Sequence, residues 1–395
     1  MAPLPSIDEA LEGILARVRP LAAERVPISA AHARVLAADG TAVVDLPPFR
    51  SSAMDGYAVR SADAPGRLRI AGQSAAGRPS EAPLAPGTAI GISTGAVVPD
   101  EADAVVPVEI VRVEGDEVVV PAAEAGAHVR TAGSDVRAGA VVVAAGTRLG
   151  PPQVAALAAA GRAEVDCVRR PRVAIVPTGT ELRAPGDRLA PGEIYESNGL
   201  LLRAQVETAG GTVELLPPVG DDRAATRAAL ERALDADVLV TSGGVSVGPH
   251  DLVRETLAEL GAEEVFWRVA VKPGKPVAFA VRGSTLVFGL PGNPVSALVG
   301  FELFVRPALR ALQGVREPRP PFAPAVLASP VRRSEGRDAL VRAATRLVDG
   351  RLEVEPLRGQ ESHMIVRAAA ADALVLVPRG SGELAAGAQV SYLPI

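Results

Sequence analysis

The chain has 395 residues, a formal net charge of −5 and a single cysteine. That length points to several domains, the acidic balance argues against a broad nucleic-acid surface, and one thiol rules out a disulfide framework. The four histidines lie far apart in sequence and make no Cys/His zinc spacing; no apolar run reaches the ~18 residues of a membrane helix, and the N-terminal stretch lacks the basic start and apolar run of a signal peptide, so a soluble, cytoplasmic protein is expected.

Ser6 followed by Glu9 is a capping-box signature, and Leu11, Ile14, Leu15 and Val18 continue it at helical spacing, which predicts a helix opening at Ser6. Residues 1–45 and 146–170 read as an N-terminal helical and linker region. In its second part "GPPQVAALAAAG" carries proline just inside a helix start and Gly161 just past the end. Between them, residues 46–145 form short apolar runs separated by Gly/Pro turns, a β-rich insert. From Pro171 the pattern changes to alternating strands and helices, the signature of a doubly wound α/β domain over 171–315. "GVREPRPPFAP" marks a boundary, and 321–395 return to alternating strands, a small barrel-like β domain. The fold class predicted is therefore multidomain α/β.

In an open α/β sheet, ligands collect at the carboxyl ends of the strands, and four loops of the central domain fall there. "TSGGVSVGPHD", 241–251, can present backbone N–H groups to a phosphate, although no lysine follows as in a Walker loop; a plain glycine turn with Asp251 capping the next helix is the structural alternative. "KPGKP" holds Lys272 and Lys275, the only lysines among 41 basic residues. Pro at the second and Gly at the third position favour a type II turn with the two lysine Cα atoms within ~7 Å. Two such ammonium groups repel unless an anion lies between them, and a compact point charge suits a small tetrahedral oxyanion better than a planar guanidinium does. "GLPGNPVSA" offers Asn293 as N-cap and Pro294 as first helical residue. "PTGTEL" and "PPVGDD" bring Glu181 and Asp221, acids suited to Mg²⁺ or to base chemistry beside a phosphate, though isolated carboxylates are more often surface groups. Only two asparagines occur, Asn198 and Asn293, both at element junctions of this domain.

"SSAMDGYA", "STGAVVP", "GSDVR", "PTGTEL", "YESNG", "SGGVSVG", "KPGKP" and "GLPGNPVSA" follow one another along the chain. In this order they make it resemble the molybdopterin molybdenumtransferase (MoeA) family, also found as the E domain of gephyrin, over nearly the whole length. The resemblance implies cleavage of adenylated molybdopterin with molybdate and Mg²⁺, releasing AMP and leaving molybdenum on the dithiolene. It implies that Ser242, Gly243, Gly244 and Ser246 cradle phosphate and that Lys272 and Lys275 line an anion pocket, with Pro291, Asn293 and Pro294 beside the substrate. Asp251, Glu181 and Asp221 would hold Mg²⁺. Asp55, Thr94 and Asp135 of the insert would complete the catalytic set from the other subunit of a homodimer. "GPHDLV" departs from relatives, which often have an acidic or polar residue and then Asp-Tyr; Asp251 is kept. The alternatives are the molybdopterin adenylyltransferase, which resembles the central domain alone, carries a different glycine loop and is also a conceivable partner, and a non-catalytic cofactor carrier or scaffold.

Overall fold

A computed structural model describes residues 3–244 and 252–395. The chain divides into two compact units. One comprises 1–24, 33–35 and 168–395, the other 25–32 and 36–167.

The first unit is built on a six-stranded sheet. Its order runs Thr212–Leu215, Arg172–Pro177, Val238–Ser242, Thr285–Leu290, Ala278–Arg282, Glu263–Trp267. The first four strands are parallel, and the last two join antiparallel as a hairpin edge. The central strands are largely apolar on both faces and, apart from Arg172 at the start of one, buried, as a sheet covered by helices on either side requires. Arg172–Pro177, the earliest of these strands in sequence, pairs with Thr212–Leu215 on one side and Val238–Ser242 on the other, so the chain reverses direction of growth between Arg172–Pro177 and Val238–Ser242. That reversal point is where α/β sheets open a crevice for ligands.

The helix predicted at Ser6 spans Ile7–Leu15. Its capping box is formed: Ser6 N donates to Glu9 Oε2 at 2.7 Å and Glu9 N to Ser6 Oγ at 3.2 Å. Ile7, Ala10 and Ile14 enter the same core as the strands of the α/β domain, including Val173, Val240 and Phe288. The helix that opens at Pro294 runs over Pro294–Gly300, continues through a π-helical turn Phe301–Val305 and ends as Arg306–Leu312.

A bidentate pair fixes the entry to the sheet. Arg169 donates to both Asp237 oxygens at 2.6 and 2.7 Å, and Arg172 N donates to Oδ2 at 2.8 Å. Burial opposes the Asp237 charge, but these donors prevail and hold its carboxyl below the usual aspartate range.

The C-terminal strands close on themselves. Asp338–Val348 pairs with both Arg351–Pro356 and Ala373–Val377, and the circuit runs on through Ala323–Leu327 and Gln389–Pro394. This is the five-stranded barrel expected for 321–395. Leu340, Leu374 and Leu393 join the core of the α/β domain.

The second unit holds the β-rich insert. Six strands from Gly56–Val59 to Glu117–Val120 form one sheet. Alternation of side chains splits its apolar residues into two cores: Ala58, Ile90 and Val105 lie in one, and Val59, Ala89, Ala104 and Val106 in the other. Gly56 is required here, because a Cβ built on it would collide with the Val106 carbonyl of the paired strand.

Candidate active site

Three strand ends are tied together at the reversal point. Thr178 N donates to the Ser242 carbonyl at 2.9 Å, and Gly243 N donates to the Leu290 carbonyl at 2.9 Å. Thr178 Oγ1 also reaches the Ser242 carbonyl, at 3.2 Å. Gly243 has φ +93°, and a Cβ there would lie 2.6 Å from Thr178 Oγ1. A side chain is therefore excluded twice, by conformation and by space.

Above these ends lies a cleft of about 290 Å³. Thr178 and Glu181 form part of its wall, Ser242 and Asn198 its interior, and Asn293 and Pro294 another side; His363 and Ile365 come from the C-terminal region. Asn198 is 9% exposed and Ser242 3%. Asn198 Nδ2 donates to Ser242 Oγ at 2.8 Å and to the Gly292 carbonyl at 2.7 Å. Glu196, 7% exposed, accepts from Gly199 N at 2.6 Å and so serves the N-terminal turn of helix Asn198–Thr208. The Glu181 carboxylate curls back over Gly179 at the cleft wall.

The segment bearing His363 is positioned from the barrel. Arg342 is 1% exposed. Its guanidinium donates to the carbonyls of Met364 at 2.8 Å, Gly359 at 2.7 Å and Glu361 at 3.2 Å. Val295 N then donates to the Ser362 carbonyl at 3.1 Å, joining this loop to helix Pro294–Gly300.

Of the sequence-predicted site residues, Glu181, Ser242, Asn293 and Pro294 line this one cleft. Pro291 is buried directly before it, and Gly243 and Gly244, both at positive φ, continue from Ser242. Asp221 is exposed on the loop whose Gly220 packs on Thr180. Ser246 and Asp251 lie outside the described residues, as do Gly248 and His250. Asn293 takes the N-cap position with Pro294 at the helix start, but makes no side-chain cap bond. Its amide is left exposed at the cleft.

The Lys272–Pro273 peptide at the expected turn is cis. Gly274 does take a positive φ, +103°. Val271–Lys272 is a strand that pairs with Asp338–Ala339 of the barrel. Both lysines are exposed and neither lines the cleft, although a Cβ on Gly274 would come within 3.6 Å of the Ser296 carbonyl in the helix that begins at the cleft.

In the second unit, Thr94 N donates to Asp55 Oδ1 at 2.7 Å. The bond joins "SSAMDGYA" to "STGAVVP", and both residues are exposed. Asp135 is exposed on a separate loop, with its N–H donating to the Leu46 carbonyl.

Residues of the cleft outside the sequence-predicted set include Thr178, Glu196, Asn198, His363 and Ile365. The rarity of asparagine is a usable signal for Asn198, and Thr178 and Glu196 fall within the motifs "PTGTEL" and "YESNG"; nothing local marks His363 or Ile365.

Among the described residues, no group of three or more His, Cys, Asp or Glu could enclose a metal. The donors at the cleft are instead a few hard oxygens, from Glu181, Ser242 and Thr178. That set fits Mg²⁺, which typically uses one or two carboxylates and completes its shell with water and substrate phosphates.

Comparison with known proteins covers nearly the whole chain. Residues 5–161 match the family described as MoeA N-terminal region (domain I and II), 174–311 a probable molybdopterin binding domain, and 324–395 the MoeA C-terminal region (domain IV). The chain is 40% identical over 381 residues to molybdopterin molybdenumtransferase 2 of Mycobacterium tuberculosis, covering 92% of this chain and 93% of that protein. It is 33% identical to the molybdopterin molybdenumtransferase of Haemophilus influenzae, over 98% of both. A crystal structure of a molybdopterin biosynthesis protein from Pyrococcus horikoshii superposes with a TM-score of 0.84 at 28% identity, over 99% of this chain and 100% of that one.

Proposed function

The chain belongs to the MoeA family, and on that footing we propose that it is a molybdenum transferase of cofactor biosynthesis, cleaving adenylated molybdopterin in the presence of molybdate and Mg²⁺ and releasing AMP. The observation that carries this reading is the cleft at the strand reversal, where a buried hydroxyl before a glycine turn and the Glu181 carboxylate line one space. Its volume, about 290 Å³, suits a phosphate-bearing small molecule held in part outside the crevice.

The Ser242 hydroxyl and the N–H of Gly244 receive phosphate oxygens, while the Gly243 N–H is taken by the Leu290 carbonyl and its glycine serves the close turn. Lys272 and Lys275 offset the charge of the incoming oxyanion and of the phosphate that departs. Glu181, Asp221 and Asp251 would hold Mg²⁺, which when bound supplies positive charge to the bridging and terminal phosphate oxygens. Asn293 and Pro294 bound the substrate on the helix side. Asp55, Thr94 and Asp135 act from the partner subunit of a homodimer. The adenylated substrate has to be made by a nucleotidyl-transferring enzyme, which makes the molybdopterin adenylyltransferase the expected upstream partner.

The test is AMP release from adenylated molybdopterin by purified protein. Release that needs both molybdate and Mg²⁺ supports the reading. ATP consumption with release of pyrophosphate would identify an adenylyltransferase instead, and binding without turnover under any of these conditions would identify a carrier.

A further inference from the structure

Ser242 closes the strand Val238–Ser242, and its Oγ accepts from Asn198 Nδ2 at 2.8 Å. A hydroxyl has one proton to donate. No acceptor for the Ser242 proton is found among the described residues, although the side chain is 97% buried at the edge of the cleft. Asn198 itself cannot turn round. Its second Nδ2 proton goes to the Gly292 carbonyl at 2.7 Å, and a flipped amide would set oxygen against oxygen there. The cost of this orientation is visible, since Asn198 Oδ1 is buried with no partner.

We infer that Asn198 is a positioning residue that commits Ser242 to donate its proton into the cleft, making it a fixed donor for an anionic oxygen of the ligand. This rests on the reading of the cleft as a phosphate site. An asparagine that spends both donors and leaves its acceptor empty is poorly explained by stability alone, because an apolar residue would carry no unsatisfied atom. It is well explained if what matters is the direction of the neighbouring O–H. A donor aligned before the ligand arrives needs no reorganisation on binding.

The experiment is a double-mutant cycle on the full-length protein, read as the Kd for AMP by calorimetry, with melting temperatures alongside. Ser242→Ala is expected to weaken AMP binding roughly tenfold. Asn198→Ala is expected to weaken it by a similar factor with a wild-type KM for molybdate. The two together are expected to be no more than about twofold worse than either alone, because both act through the one Ser242 donor. Asn198→Ser, which keeps a polar group in the space, replaces the alanine variant should that fail to fold. Losses that multiply would overturn the inference while leaving the cleft as the AMP site. Ser242→Ala binding AMP like the wild type would also overturn it, whatever residue 198 does. Wild-type protein that does not bind AMP would overturn both this inference and the reading of the cleft.

Discussion

The two regions that hold the candidate residues are built in opposite ways. In the α/β unit, Asn198 and Ser242 at the strand reversal are buried and bonded to each other, while Glu181 and Asn293 stand exposed at the cleft. In the insert, Asp55, Thr94 and Asp135 are exposed, and a single bond from Thr94 N to Asp55 is what orders the pair. A buried, pre-aligned set can recognise a ligand with little rearrangement. An exposed pair gains strength only when another surface excludes water from it. On the proposed reading, the cleft would bind the ligand and the insert's acids would act against a partner subunit's surface.

The largest expected effect tests whether the two regions fail separately. Gly56→Ala forces a side chain into the Val106 carbonyl, and we expect the insert to lose about 3 kcal/mol of stability. Turnover should fall with it, while AMP binding by the cleft stays within about twofold. Loss of AMP binding together with the insert's fold would break the distinction.

Glu181→Gln comes next. Turnover should drop about 100-fold, with the Mg²⁺ concentration for half activity raised and the melting temperature unchanged. Mixing this variant with an inactive Asp55→Asn protein should restore part of the activity, because hybrid dimers would carry one intact site. A fully active protein that is strictly monomeric in light scattering would end the shared-site account.

A smaller effect belongs to stability alone. Asp237→Asn should cost about 1–2 kcal/mol, a figure held down because the Arg169 side chain is 35% exposed and screened by solvent. The sign with pH follows from the depressed carboxyl. The stabilisation is fully present above the unfolded aspartate value and is lost as pH falls through the folded one, below about pH 4. Acid unfolding monitored from pH 5 to 2 should therefore be shallower in the variant, and AMP binding at neutral pH should match the wild type. An equally steep acid transition would remove Asp237 from the explanation.

The smallest change is Lys272→Arg or Lys275→Arg. Both lysines are exposed, so stability should move by less than about 0.5 kcal/mol. Molybdate-dependent turnover should fall several-fold, because a guanidinium is larger and prefers planar, bidentate partners. An unchanged dependence on molybdate would make them ordinary turn residues.

Much of this was legible in the sequence because the signals were local. The capping box at Ser6, the βα alternation after Pro171 and the glycine run after Ser242 each specify backbone geometry within a few residues. Glu181, Ser242 and Asn293 could be placed at strand ends for the same reason. What escaped was long-range. Asn198 meets Ser242 and Gly292 across 44 and 94 residues. His363 reaches the cleft because Arg342, on a barrel strand, gathers the carbonyls of its loop.

The most direct test of the central claim is a product balance. Purified protein is given adenylated molybdopterin, molybdate and Mg²⁺, and both AMP and pterin-bound molybdenum are quantified at each time point. The account predicts one molybdenum on the pterin for each AMP released, and neither product when molybdate or Mg²⁺ is omitted. AMP released at an undiminished rate without molybdate, leaving metal-free pterin, would contradict it.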